Sequence, residues 1–296
     1  MKDILLLHNP GAGEESHDEE ELTELVTGAG FKCDYQSLKS KGWDKKLSKY
    51  EILAVAGGDG SVRKVVRALL RKDHKELPTI GIIPMGTANN ISKTIYEGID
   101  PEHIVASWKQ RKTTPFNVGW VSGLPQKHFF IEGLGIGVFP TLVSAMKTVD
   151  EAISDDPDKR MQISLELLAG IIRAYDAIPC RIEIDGADHS GNYLLVEIMN
   201  ICSVGPNLML SPDCIPGDSN FSIVLISEQQ RQNLLDYISG KIKGTEGLTA
   251  FPTIKGSQIK IETECKRIHI DDKIVKIPSK SVISIDLDEK RLQFLS

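Results

Sequence analysis

The 296-residue sequence has no long basic run and no basic tail, and its mixed acids and bases leave a net charge of −6. That balance argues against general nucleic-acid binding. Long apolar runs are missing too. The Ile4–Leu7 stretch is far too short for a signal-peptide core or a membrane span, and the longest apolar region, Leu165 to Ile172, is short and contains Glu166. A cytoplasmic protein without a transmembrane segment is therefore expected. The five cysteines form no C-x-x-C pair, and an odd, scattered set predicts reduced, mostly buried thiols, with neither a disulfide frame nor a zinc site. The seven histidines are equally dispersed and no H-E-x-x-H occurs, which leaves a transition-metal site with little support. Internal repeats, low-complexity tracts and basic amphipathic helices are absent as well, so strong membrane binding is not expected.

What is present is patterned. The length favours two domains, and an apolar content of 41% permits a full core. The first third alternates strand and helix signals: strands at Ile4–His8, Phe31–Leu38, Ile52–Ala56 and Thr79–Ile83, helices at Ser61–Lys72 and Ile91–Glu97. Another helix follows "NPGAG", with Ser16 and Glu19 as a capping box and Gly28 and Gly30 at its end. This alternation predicts an α/β domain with a doubly wound parallel sheet, whose buried strands ("ILAVA", "TIGII") are apolar on both faces. Beyond about residue 115 the period changes to two, in segments such as "CRIEIDG", "NYLLVEIMNI" and "SQIKIET". The second domain is expected to be a mostly antiparallel β-sandwich with one helical insertion near 158–175. Its Leu- and Ile-rich stripe reads as a core helix. The expected division is 1–116 and 117–296, with 280–296 packing back on the first domain.

Three glycine loops follow three of the parallel strands: "NPGAG", "GGDGS" and "GTANN". In an open α/β sheet such loops lie at the carboxyl ends of the strands, where ligands bind. Glycine lets backbone approach a ligand closely, and the helix N-termini beside it offer N–H groups to an anion. A single Gly-Asp-Gly is common in plain turns; three such loops in succession describe a polyphosphate cradle.

The set "NPGAG … GGDGS … PMGTANN" resembles the catalytic domain of the diacylglycerol kinase family, which includes bacterial lipid kinases and sphingosine kinases, with NAD kinases and phosphofructokinases as broader relatives. The resemblance continues through "FFIEGLGIGVF", "LSPDCIPGDSNFSIVLI" and "HIDDKIVKI". It implies an α/β nucleotide domain followed by a β-sandwich, an active site in the cleft they form, and transfer of the γ-phosphoryl of ATP to a lipid hydroxyl with Mg²⁺. Carried over residue by residue, Gly57, Gly58, Gly60 and Ser61 would cradle phosphate and Asp59 would face the phosphates or their metal. Gly86, Thr87 and Asn90 would close the other side of the nucleotide. Asn9 would line the site, Ser37 would contact the nucleotide, and Arg63, with Lys64 and Lys93, would add positive charge. Asp218 would hold the metal, and Asp271 or Asp272 would take the hydroxyl proton.

The sequence departs from the family pattern at named positions. Ser61 stands for threonine, Asn90 for aspartate, Ser219 for glycine, and Glu14 and Glu15 follow the first loop where a base is frequent. The family Asp-Gly-Glu reads Asp271-Asp272-Lys273, so an ammonium replaces the catalytic carboxylate. As strand neighbours, Asp271 and Asp272 are expected on opposite faces. The expected partner is a lipid met transiently at the membrane surface, with no nucleic acid and with room for a homodimer. Two other readings stand beside this one: a kinase of a soluble acceptor such as NAD, and a nucleotide- or lipid-binding protein whose catalysis is impaired.

Overall fold

The computed structural model describes all residues except 1–2, 12–17, 72–75, 97, 150–155 and 246–250. The chain forms two compact units, residues 1–116 with 290–296, and residues 117–289.

In the first unit, strands β1 (Asp3–His8), β2 (Lys32–Ser37), β3 (Ile52–Gly57) and β4 (Thr79–Pro84) alternate with helices α1 (Glu19–Gly28), α2 (Asp59–Leu70), α3 (Asn90–Tyr96) and α4 (Pro101–Ser107). All four strands are parallel, in the order β2-β1-β3-β4. Burial follows that order. Every residue of the central strand β3 is buried, while β2 at the edge is exposed or half-buried, in keeping with its polar sequence KCDYQS. Gly81 in β4 leaves space for the fully buried Trp108, whose ring atom Cζ2 would lie 2.6 Å from a Cβ there.

Helix starts were read with less accuracy than helix existence. Helix α1 is capped by Asp18, whose carboxylate accepts the Glu21 N–H at 2.8 Å. The expected Ser16–Glu19 capping box involves Ser16, which lies outside the described residues. Helix α2 begins at Asp59, two residues before the expected Ser61, because the extended Gly58 serves as its N-cap.

The second unit contains β5 (Thr113–Ser122, entered from the first unit), β6 (His128–Phe130), β7 (Gly133–Gly137), α5 (Val138–Val149), α6 (Pro157–Ala174), β8 (Ile178–Ile184), β9 (Ala187–Asp188) and β10 (Gly191–Met199). There follow β11 (Ser203–Val204), β12 (Leu208–Met209), β13 (Phe221–Ser227), α7 (Arg231–Lys243), β14 (Thr253–Gly256), β15 (Gln258–Thr263), β16 (Arg267–Ile270), β17 (Lys273–Lys276) and β18 (Ser281–Leu295), whose end returns to the first unit. The pairings β17-β16-β7-β10-β8-β15-β18 and β10-β13-β14 are all antiparallel. Alternation along β10 serves two cores: Val196 and Ile198 join one apolar cluster, and Leu195 and Met199 join the cluster built with α5, α6 and α7. Leu165, Leu168, Ala169 and Ile172 of α6 are buried there, so its stripe is core.

Two expectations for this unit need correction. Three helices, not one, lie among its described residues. The opening of α5, Val138-Phe139, ends the period-two segment "HFFIEGLGIGVF" and reads as strand because it is β-branched and aromatic, yet Pro140 follows in the first helical turn, where its missing N–H needs no intrahelical partner. The cysteines were read as all reduced, but Cys202 and Cys214 are joined by a disulfide; of the remaining three, only Cys180 is buried. The two stand 12 positions apart in the sequence and the chain between them folds back on itself, with Ser211 N–H donating to Cys202 O, and linear spacing does not disclose that return.

Candidate active site

In the first unit the strand order reverses at β1 and β3: the chain leaves β1 towards β2 on one side and β3 towards β4 on the other. Ligands of open α/β sheets bind at the carboxyl ends of the strands at such a reversal. Asn9, Ser37, Gly57-Gly58 and Gly86 all stand at these strand ends. Asn9 bridges the reversal, with its N–H donating to Ala56 O at 3.0 Å and its Nδ2 donating to Ser61 Oγ at 3.0 Å. Ser61 is therefore held by the loop after β1 as well as by its own helix.

The loops after β3 and β4 touch. A Cβ at Gly58 would lie 3.0 Å from the Gly86 Cα, and one at Gly86 would lie 2.6 Å from the Gly58 Cα. A Cβ at Gly57 would lie 2.5 Å from Ser61 Oγ. These glycines are thus needed for loop-against-loop packing before any ligand is considered. The result is bare backbone leading into the 12-residue helix α2, whose N-cap Gly58 provides no side-chain acceptor. Gly58 O accepts the N–H groups of Ser61 at 2.8 Å and Val62 at 3.2 Å, so Asp59 and Gly60 carry the N–H groups that precede the helix's own bonds, and such a helix start fits an anion. Gly60 is exposed in its first turn.

The third loop is shaped by a motif residue to which the sequence reading gave no role. Asn89 has φ +51, accepts the Gly86 N–H on Oδ1 at 2.9 Å and donates from Nδ2 to Gly86 O, which closes the Gly86–Asn89 turn on itself. The signal was available, because asparagine tolerates left-handed backbone better than other non-glycine residues. Thr87 is exposed on this turn and Asn90 is buried at the start of α3.

Asp59 does not stand clear to face a ligand. Its two carboxylate oxygens accept the N–H groups of Asn90 at 2.9 Å and Ile91 at 3.0 Å, so it ties the GGDGS loop to the N-terminus of α3. Burial pushes its carboxyl above the ordinary range, against the opposing pull of those two N–H groups and of Lys93. The basic pair after the loop also divides. Arg63 is buried, whereas Lys64 donates to Leu38 O at 2.7 Å and its ammonium lies 5.5 Å from the centre of the Trp43 ring. Ser37 Oγ accepts the Lys39 N–H at 3.2 Å within the turn after β2.

In the second unit, Asp271 and Asp272 form the two-residue turn of the β16–β17 hairpin, with Ile270 paired to Lys273. They are turn residues and not strand neighbours on opposite faces, which corrects the expectation. Asp271 has φ +52 and is buried, while Asp272 and Lys273 are exposed. The Oδ1 of Asp271 accepts three backbone N–H groups, from Glu132 at 2.9 Å, Ile131 at 3.2 Å and Gly133 at 3.3 Å, and its own N–H donates to Gly133 O at 2.8 Å. Asp271 therefore clamps the hairpin turn to the loop before β7. Asn200 braces the same loop, donating from Nδ2 to Ile131 O at 3.0 Å and to Asn117 O at 2.9 Å.

Behind this clamp lies a buried ionisable pair that the sequence reading missed. Glu197 on β10, Gly135 on β7 and His269 on β16 are in direct register across three strands. The two side chains meet over the glycine, with His269 Nε2 2.9 Å from Glu197 Oε2, and a Cβ at Gly135 would overlap both. Phe139 covers the imidazole edge-on, at 6.0 Å. His269 Nδ1 lies 2.9 Å from Asp271 O, so it carries the proton and donates it to that carbonyl. Burial pulls the imidazole down, but the Glu197 carboxylate and its hydrogen bond, with the Asp271 carbonyl and charge, outweigh it and hold His269 above its ordinary range.

The expected metal ligand, Asp218, fails its test of fit. Its Oδ1 accepts the Asn220 N–H at 3.1 Å, its Oδ2 is 3.3 Å from Lys255 Nζ, and its carbonyl accepts Asn117 Nδ2 at 2.6 Å. The oxygens a divalent ion would need are committed, and an ammonium already stands beside the carboxylate. Among the described residues, no group of three or more His, Cys, Asp or Glu could hold a metal. No helix of the described residues is long and apolar enough to cross a membrane.

Comparison with known proteins finds lipid kinases and an NAD kinase of the same fold. A diacylglycerol kinase from Bacillus subtilis (strain 168) is 25% identical over 255 residues, covering 80% of this chain and 77% of the relative. A YegS-like lipid kinase from Alcanivorax borkumensis is 26% identical over 221 residues, covering 72% and 69%. The crystal structure of a diacylglycerol kinase from Bacillus anthracis superposes with a TM-score of 0.73 at 21% identity, covering 99% and 96%. An NAD kinase from Archaeoglobus fulgidus shares the fold at a TM-score of 0.55 and 13% identity, over 99% of this chain and 93% of that one. The family model for the diacylglycerol kinase catalytic domain matches residues 3–121, the segment that contains all three glycine loops.

Proposed function

We propose that the chain is an ATP-dependent kinase that transfers the γ-phosphoryl group to a hydroxyl of a diacylglycerol-like lipid. The observation that carries this reading is the Asn9–Ser61 bridge over the strand reversal, beside the bare Gly57-Gly58 backbone at the start of α2. In this reading the phosphates lie against Gly57, Gly58, Gly60 and Ser61, with Arg63 adding positive charge and Asn9 and Ser37 lining the site. Gly86, Thr87 and Asn90 close the nucleotide on the other side. Asp59 acts indirectly, by holding the second and third loops together. When bound, ATP with Mg²⁺ supplies the γ-phosphoryl group and part of the charge neutralisation.

The acceptor hydroxyl loses its proton to a carboxylate as the new P–O bond forms and ADP leaves. Asp272 is the better placed of the two candidates, since it is exposed at the turn while Oδ1 of Asp271 is engaged by three N–H groups. Lys273 is charged in the opposite sense and cannot take that proton as an ammonium. The lipid is met transiently, at the membrane surface. The test is ATP consumption by the purified chain with Mg²⁺ and mixed micelles of diacylglycerol. Lipid-dependent turnover, lost in Asp272→Asn and in a Gly58 variant that no longer binds ATP, is expected; turnover that persists in Asp272→Asn rejects the assignment of the base.

A second reading is favoured by a specific pair of observations. Lys273 at the family glutamate position and Lys255 beside Asp218 suit a nucleotide- or lipid-binding protein without turnover. ATP binding without consumption in the presence of any hydroxyl lipid would select it.

A further inference from the structure

Lys255 is placed by the sheet. It is paired with Ser222 in the β13–β14 ladder, so its side chain rises beside Ser222 on the same face. Its ammonium has two oxygen partners there, Ser222 Oγ at 3.0 Å and Asp218 Oδ2 at 3.3 Å. Asp218 belongs to the loop that leads into β13. Around it every polar group is used: the N–H donates to Ile215 O at 3.2 Å, Oδ1 accepts Asn220 N–H, and the carbonyl accepts the side chain of Asn117, which is fully buried. The arrangement is that of a hard-cation site, with a carboxylate and a hydroxyl converging on one positive charge. The charge is a lysine.

We propose that Lys255 is a built-in cation, whose ammonium fixes the Asp218 loop in place of a divalent ion and makes the fold of the second unit independent of metal. The two alternatives are mutually exclusive in space, because the ammonium and a divalent ion would compete for the same Asp218 and Ser222 oxygens. A lysine held by its own strand register also has an entropic advantage over an ion that must be recruited from solution and stripped of water. Mg²⁺ in particular dehydrates reluctantly. Any Mg²⁺ that serves phosphoryl transfer would then arrive with the nucleotide and owe nothing to Asp218.

The experiment uses the full chain without nucleotide, so it does not depend on catalysis. Thermal melting is followed by fluorescence in EDTA and in millimolar MgCl₂ for the wild type, Lys255→Met, Lys255→Arg and Asp218→Asn. Expected are an unchanged wild-type melt in both media, a Lys255→Met melt several degrees lower in EDTA that rises again with MgCl₂, and a Lys255→Arg melt close to wild type. A wild-type melt raised by MgCl₂ and no longer raised in Asp218→Asn overturns the proposal, because the metal would then hold the site despite the lysine. A Lys255→Met protein that melts like the wild type, or melts lower and ignores MgCl₂, also overturns it, since Lys255 would then be an ordinary surface ion pair.

Discussion

Two glycine-rich junctions carry the chain from a strand into a helix, one in each unit, and they use glycine to admit different neighbours. At β3–α2 the glycines lie at strand ends, where Gly58 packs on Gly86 and the helix begins without a side-chain cap. Gly57 there is buried, Gly58 and Gly86 are half-buried, and Gly60 is exposed. At β7–α5 the glycines lie inside a strand, where Gly135 makes room for the Glu197–His269 pair and Gly137, at φ +104, approaches Leu194 O. The first junction keeps side chains out so that the loops after β3 and β4 can pack on each other. The second keeps atoms out because something is already there. Glycine content alone therefore does not identify a ligand site; what faces the missing Cβ does.

This contrast can be tested by putting side chains back. The largest effect is expected for Gly135→Ala, which would press a methyl group into a buried ion pair. Separating such a pair costs about 3–5 kcal/mol and overpacking about 1–3 more, so a loss on the order of 5 kcal/mol is expected in denaturant unfolding. A loss below about 1 kcal/mol would mean that the pair does not sit over Gly135. Glu197→Gln ranks next. It should cost about 3 kcal/mol near pH 6, with the difference shrinking as the pH rises.

The sign follows from His269, whose folded-state pKa is raised. Its contribution is fully present below the unfolded value of about 6.5 and is lost as the pH climbs through the folded value. Wild-type stability should accordingly decline with pH above about 6.5, and the decline should be weaker in Glu197→Gln. Melting temperatures from pH 5.5 to 9 measure both slopes; parallel slopes would remove His269 as the cause.

Gly58→Ala should behave in the reverse way to Gly135→Ala. Its Cβ would be tight only against the Gly86 Cα, at 3.0 Å, with Gly86 N at 3.6 Å and Asn89 Oδ1 at 3.7 Å in ordinary contact, and a small loop shift relieves the first. Stability should fall by about 1 kcal/mol, while ATP affinity, read by titration calorimetry, should fall at least tenfold, or about 1.4 kcal/mol. Unaltered ATP affinity would remove the β3–α2 junction from the nucleotide site. Smallest is Ser61→Ala, which deletes the acceptor of Asn9 Nδ2. About 1 kcal/mol of stability and a several-fold loss of ATP affinity are expected from the same two measurements.

Local signals determined much of this protein. Continuous apolar runs bounded by glycine, as in "ILAVA" before Gly57, identify buried parallel strands, because both of their faces are covered. Alternation in "CRIEIDG" likewise identifies an antiparallel strand, and in β8 Cys180, Ile182 and Ile184 are buried while Arg181 and Glu183 between them are exposed. The resemblance to the kinase family was legible for the same reason: its three loops depend on short-range requirements for glycine, a hydroxyl and asparagine. In the second unit the turn at Asp271-Asp272 was harder to read, since its left-handed residue is an aspartate where a glycine would have announced it.

Other features required the tertiary structure. Glu197 and His269 are 72 residues apart, and only the register of β10, β7 and β16 brings them together. Asp218 and Lys255 are 37 apart and meet only because Lys255 is paired with Ser222. Cys202 and Cys214 needed the chain between them to turn back. Asp59 could be read as a glycine-loop carboxylate, but not as the cap of a helix 31 residues further on. The physical reason is common to all four. Backbone preference and periodicity are written in neighbouring residues, whereas the partner of a buried or paired charge is chosen by strand order and register, which place distant residues at hydrogen-bond distance.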